Sequence, residues 1–220
     1  MKKWFCLLAV SSIFVGCESK EDDQIYSAQI CLNSATSATV DACLAKIAGV
    51  SSSRAFVIRC SAEFIRANIT TSTIVAAIEN IEDNDSGNTV DPTIEFYQNF
   101  SFSSGASADV AVTNCDASGS EGLRLLALSA KSATTIKTFA GGDIATWINT
   151  NPDLSLLDPA EVQSMGSNVL QMQSIACDEG GSLKGTEICD NINNAIANAG
   201  GDVQAIGEAF INQLKNPDSN

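Results

Sequence analysis

The chain has 220 residues, with 12 basic and 26 acidic side chains, a formal net charge of −14 and no histidine. That balance argues against nucleic acid and anionic lipid surfaces as partners. The lack of histidine removes Ser-His and Cys-His nucleophilic pairs, His-ligated zinc and haem, and the commonest general base.

Met1 to Cys17 opens with Lys2 and Lys3 and continues through the apolar run Trp4 to Val15, too short to span a bilayer. Gly16-Cys17 closes it. The pattern is that of a cleaved signal peptide, residues 1–16. The junction Phe14-Val15-Gly16-Cys17 resembles the lipobox of bacterial lipoproteins, with Phe14 where that family usually has leucine. The resemblance covers only the leader. It implies that Cys17 is diacylated, becomes the new N-terminus and anchors an envelope protein to a membrane; it implies no activity. Glu18, directly after the cysteine, is not the aspartate that the family uses for inner-membrane retention in some bacteria. The resemblance therefore favours the outer membrane, with the domain facing the periplasm or the surface. Cleavage removes Lys2 and Lys3, leaving 204 residues with 10 basic against 26 acidic side chains, a formal charge of −16.

Residues 17–24 read as the lipidated cysteine and an acidic tether, ESKEDDQ, which has no apolar residue and reaches at most about 25 Å. Residues 25–220 read as one helical domain. Ile25, Ala28 and Leu32 recur at helical spacing, and Val40, Cys43, Leu44 and Ile47 form a second short pattern stopped by Gly49. Ser53 to Asn68 sets Phe56, Val57, Cys60, Phe64 and Ala67 on one face, with Arg54, Arg59 and Arg66 as a basic rim that either pairs with local carboxylates or forms a docking stripe. Thr70 to Ile81 repeats the pattern through Ile74, Ala77, Ile78 and Ile81.

Asp91-Pro92 signals another helix start. Ser103 to Ser107 is small and polar and predicts a flexible loop. Ala108 to Cys115 is a short apolar segment, and Ser120 to Ala140 predicts a long helix weakened at its end by Thr134, Thr135 and Ile136. A short helix carries Ile144, Trp147 and Ile148. Asp158-Pro159-Ala160-Glu161 starts a helix through Val162, Met165, Val169, Met172 and Ile175 to about Cys177. A last pair follows, Glu187 to Ala199 and Asp202 to Leu214. Ala140-Gly141-Gly142-Asp143-Ile144 echoes Ala199-Gly200-Gly201-Asp202-Val203, a weak signal of repeated hairpins. The expected fold is all-α, a compact multi-helix domain of about nine or ten helices, stabilised by disulfides.

Cys6 leaves with the leader and Cys17 carries lipid, so Cys31, Cys43, Cys60, Cys115, Cys177 and Cys189 remain to form three disulfides. None is spaced as C-x-x-C. Cys177 and Cys189 bracket one interhelical loop and are the first expected pair. For the other four, Cys31 with Cys60 and Cys43 with Cys115 stand narrowly ahead of the alternatives.

Asp83, Asp85 and Gly87, with Asp91 and Glu95 downstream, invite comparison with a calcium loop, but the glycine falls one position early and the glutamate one position late. A solvated interhelical turn is the favoured reading, and no metal site or cofactor is expected. Phe96, Tyr97, Phe100 and Phe102 form the densest aromatic cluster. Phe96 and Phe100 belong to the core by spacing, whereas Tyr97 and Phe102 are divided between core packing and contact with a partner. Gly180 to Thr186 misplaces the lysine of a phosphate-binding loop, and no nucleophile motif occurs. The resulting expectation is a non-enzymatic envelope lipoprotein: a structural or interaction scaffold with an envelope protein partner and no nucleic acid. The alternative is a helical binding module for an apolar or small-molecule ligand, with Met165, Met172, Trp147 and the aromatics lining a pocket.

Overall fold

The computed structural model describes residues 20–72, 92–150, 152–179, 181, 184 and 187–215. Among them are ten α-helices, two short 3-10 turns and no strand, so the fold is all-α as the periodicity predicts.

The first unit comprises α1 (Lys20–Leu32), α2 (Val40–Leu44) with the 3-10 turn Ala45–Ile47, and α3 (Ser53–Arg66). Ser52 caps α3 by accepting the Ala55 amide at 3.4 Å. Ile25, Ala28, Val40, Ile47, Ala55 and Ile58 make its core. The helix α1 begins five residues earlier than the sequence reading allows, because Lys20 to Gln24, expected in the tether, form its first turn and a half. Glu21, Asp22 and Asp23 sit where the helix dipole favours acidic side chains, and Asp22 also pairs with Arg54.

The second unit comprises α4 (Pro92–Asn99), α5 (Gly105–Ala117) and α6 (Glu121–Phe139). Here the expected loop at Ser103 to Ser107 is instead a helix start. Ser104 is extended, and its hydroxyl accepts the Ser107 amide at 3.2 Å, so α5 begins at Gly105. Phe64 of α3 meets Phe100 and Phe102 here, with ring centroids 6.3 and 5.5 Å away.

The third unit comprises α7 (Ile144–Asn149), the 3-10 turn Leu154–Leu156, α8 (Pro159–Ala176), α9 (Glu187–Asn198) and α10 (Val203–Lys215). The echoed segments make the same local turn. Both glycine pairs have positive φ, and Asp143 and Asp202 then cap the next helix by accepting the amides of Thr146 and Ala205 at 3.0 and 2.8 Å. The Thr146 amide and hydroxyl hold the Asp143 carboxyl below its ordinary pKa. At the α8–α10 crossing the backbones touch: a Cβ on Gly166 would lie 1.8 Å from the Val203 carbonyl oxygen, and one on Gly207 2.2 Å from that of Val162.

The disulfides are Cys31–Cys43, Cys60–Cys115 and Cys177–Cys189. The last is the expected pair; Cys31 with Cys60 and Cys43 with Cys115 are not formed. The reason lies in α3, which is covered on two sides. Ile58 and Ala62 pack with α1 and α2, while Cys60 and Phe64 pack with the second unit. Cys60 therefore meets Cys115 of α5, leaving Cys31 and Cys43 to close the α1–α2 hairpin with Cα atoms 5.4 Å apart. The same two-sided cover moves the buried face of α3 to Ala55, Ile58, Cys60, Ala62, Glu63 and Phe64, and leaves Phe56, Val57 and Ala67 half-buried.

Candidate functional surface

Asp22 near the start of α1 pairs with Arg54 at the start of α3, and α1 as far as Leu32, with Asn33 just after it, and α3 as far as Ile65 line one groove of about 340 Å³. The two helices thus run side by side in one direction. Ile25, Leu32, Val57 and Ile65 give the groove apolar lining, and Gln29, Asn33 and Ser61 give it amide and hydroxyl groups. Next to it on α1, Tyr26 and Ile30 are one turn apart and 66% and 52% exposed.

The arginines of α3 do not make a docking stripe. Arg54 pairs with Asp22, and Arg66 lies between Glu63 and Asp41. The Glu63 carboxylate, followed by that of Asp41, pushes the Arg66 pKa up, so its charge is committed. Arg59 donates to the carbonyls of Ile47 and Val50, where the 3-10 turn ends, and its guanidinium lies 4.9 Å from the centroid of the Phe56 ring.

Phe102 is buried, and Tyr97 is partly buried. Phe102 is 4% exposed, packs on Phe64 and donates its amide to the Thr134 hydroxyl at 2.8 Å. Tyr97 is half-buried, meets Phe210 edge-on with centroids 6.4 Å apart, and has its phenol pKa pushed up to about 12 by burial. Phe100 is buried as predicted; the Phe96 side chain lies outside the described residues. Met165 and Met172, expected to line a pocket in the alternative reading, are packed core residues, and the Ser129 hydroxyl contacts the Met172 sulfur at 3.6 Å. Trp147 is only partly buried and faces Phe139.

Asp83, Asp85, Gly87 and Asp91, the Glu95 side chain, Cys17 and the leader all lie outside the described residues, as does most of Gly180 to Thr186. Among the described residues no three His, Cys, Asp or Glu side chains cluster as metal ligands, and no helix is long and apolar enough to cross a membrane.

One polar contact has no signal in the sequence. Gln98 of α4 donates to the Gly142 carbonyl at 2.7 Å and accepts the Ile144 amide at 2.9 Å, clamping the α6–α7 turn. Its partners lie 44 and 46 residues away, beyond any helical spacing.

No protein-family model matches the chain, and no curated protein or solved structure is significantly similar to it.

Proposed function

We propose that this chain is a bacterial envelope lipoprotein, anchored through Cys17, whose helical domain serves as a non-enzymatic interaction scaffold at the membrane surface. The observation that carries the reading is the lipobox-like Phe14-Val15-Gly16-Cys17 placed two residues before the first helix, Lys20–Leu32. Three disulfides suit an oxidising compartment outside the cytoplasm. The α1–α3 groove lies on the unit nearest the anchor and is the surface offered to an envelope protein. Outer-membrane placement is part of the proposal and rests on Glu18.

The second reading, a binding module for a small apolar ligand, draws support from the same groove, whose volume of about 340 Å³ is near the low end for ligand pockets. The packed Met165 and Met172 give it none.

In-cell crosslinking and co-purification of the full-length protein, with Cys17→Ser as the unanchored control, tests the scaffold. A defined envelope partner recovered with the anchored form alone is the expected result. Recovery of no specific partner, together with a small molecule retained in native mass spectra, overturns it in favour of the second reading.

A further inference from the structure

Resting on the anchored reading above, we propose that the outer face of α1, carrying Tyr26 and Ile30, lies against the headgroup–acyl boundary of the bilayer that holds Cys17. Chain length sets the first constraint. With α1 beginning at Lys20, only Glu18 and Ser19 separate it from Cys17, and three Cα-to-Cα steps reach at most about 11 Å. The N-terminal end of α1 is therefore confined to the membrane surface, not held out on a seven-residue leash.

A helix so confined either stands up from the bilayer or lies along it. Standing, it would lift Tyr26 about 9 Å and Ile30 about 15 Å beyond Lys20 and leave both in water. Lying down, it sets both at the interface. The side-chain pattern favours the second arrangement. Ile25, Ala28 and Leu32 face the core, and Cys31 is tied to α2, while Tyr26 and Ile30 project from the arc that the other helices leave open. Tyrosine has the apolar ring and polar tip that suit this boundary, and isoleucine supplies an acyl contact.

Charge selects the lipid. Lys20, Glu21 and Asp23 are exposed in the first turn of α1, while Asp22 is paired with Arg54, so the exposed charge of that turn is net negative. An acidic first turn is repelled by an anionic surface, so the contact requires a neutral, zwitterionic one. Bound in this way, α1 places the adjoining groove at membrane level, open to partners moving in the plane of the bilayer.

The test uses full-length lipoprotein, processed in cells and reconstituted into phosphatidylcholine vesicles with brominated acyl chains. Trp147→Phe removes the one tryptophan outside the leader, and Tyr26→Trp or, in a second protein, Leu156→Trp supplies a single reporter. Leu156 is 83% exposed in the third unit and serves as the comparison. Insertion to the depth of an interfacial helix predicts a roughly twofold or larger loss of emission for the Tyr26→Trp reporter and much less for the Leu156→Trp reporter. Adding Ile30→Ser reduces the first effect. Protein whose mass shows acylation but whose reporters are quenched equally, or not at all, overturns this contact and leaves the anchor standing. Protein with no acyl group on Cys17 overturns both.

Discussion

The α1–α3 unit and the α8–α10 crossing hold helices together by different means. In α1–α3 the helices pack through side chains and are tied to one another by Cys31–Cys43 between α1 and α2, Asp22–Arg54 between α1 and α3, and the Asp41–Arg66–Glu63 group between α2 and α3. A groove is left between them. At α8–α10, Gly166 and Gly207 remove the side chains at the contact, and the two backbones meet with no space for a Cβ. Close approach gains dispersion contacts and closes the surface; spacing with covalent and ionic ties leaves a surface that another molecule can use. The region nearest the proposed anchor is the one that keeps such a surface.

The largest test of this contrast removes the bond that joins α1–α3 to the rest. Cys60→Ser with Cys115→Ser opens a loop of sequence separation 55 and should cost about 4 kcal/mol by the chain-entropy relation. Chemical denaturation followed by hydrogen exchange should show α1–α3 opening first. Next, Gly207→Ala puts a methyl group into the Val162 carbonyl and should cost about 3 kcal/mol, a loss visible as a lowered Tm. The same substitution at Gly49, where an added Cβ would meet nothing within 4 Å, should cost less, through its φ of +84° alone.

A third test probes the contact between the second and third units through the Tyr97 phenol, which meets Phe210. The folded protein holds the Tyr97 proton to about pH 12, whereas an unfolded chain releases it near pH 10. Stability should therefore be unaffected below about pH 10 and fall by roughly 2–3 kcal/mol as pH rises from about 10 to 12. In Tyr97→Phe, which keeps the ring against Phe210, urea midpoints measured across that range should lose this decline. The smallest effect belongs to the ionic ties. Arg66→Met leaves Glu63, 6% exposed, without its guanidinium and should destabilise by about 1–3 kcal/mol, a shift that high salt should not mimic as it would for an exposed pair.

Much of this architecture can be read from periodicity. Ile25, Ala28 and Leu32, or Val162, Met165, Val169 and Met172, mark buried stripes because one helix face meets one neighbour. Caps are readable where aspartate precedes a clear apolar run, as at Asp158. Ser104 is lost among other small polar residues because a serine cap and a serine loop share one composition. The acidic stretch at Lys20 to Gln24 hides a helix for a related reason: the charges that look solvated also satisfy the dipole of a helix start. Spacing leaves the partners of four cysteines undetermined because pairing depends on which side of α3 each neighbour occupies. The groove is equally out of reach, since it arises from the placement of two helices and no residue pattern announces it. Gly166 and Gly207 give no signal beyond being glycines inside helices, where their cost is offset by backbone contact.

The Cys177–Cys189 bond has a consequence for how the protein withstands its surroundings. It links the end of α8 to α9 around a glycine-rich stretch, so a protease that cuts once between the two cysteines severs the backbone without releasing either fragment. α8, α9 and α10 would stay joined through sulfur, with Gly166 still seated on α10. The nicked protein would run as one species until reduced. A protein with that bond tolerates damage at this loop that would cut an unbridged chain in two.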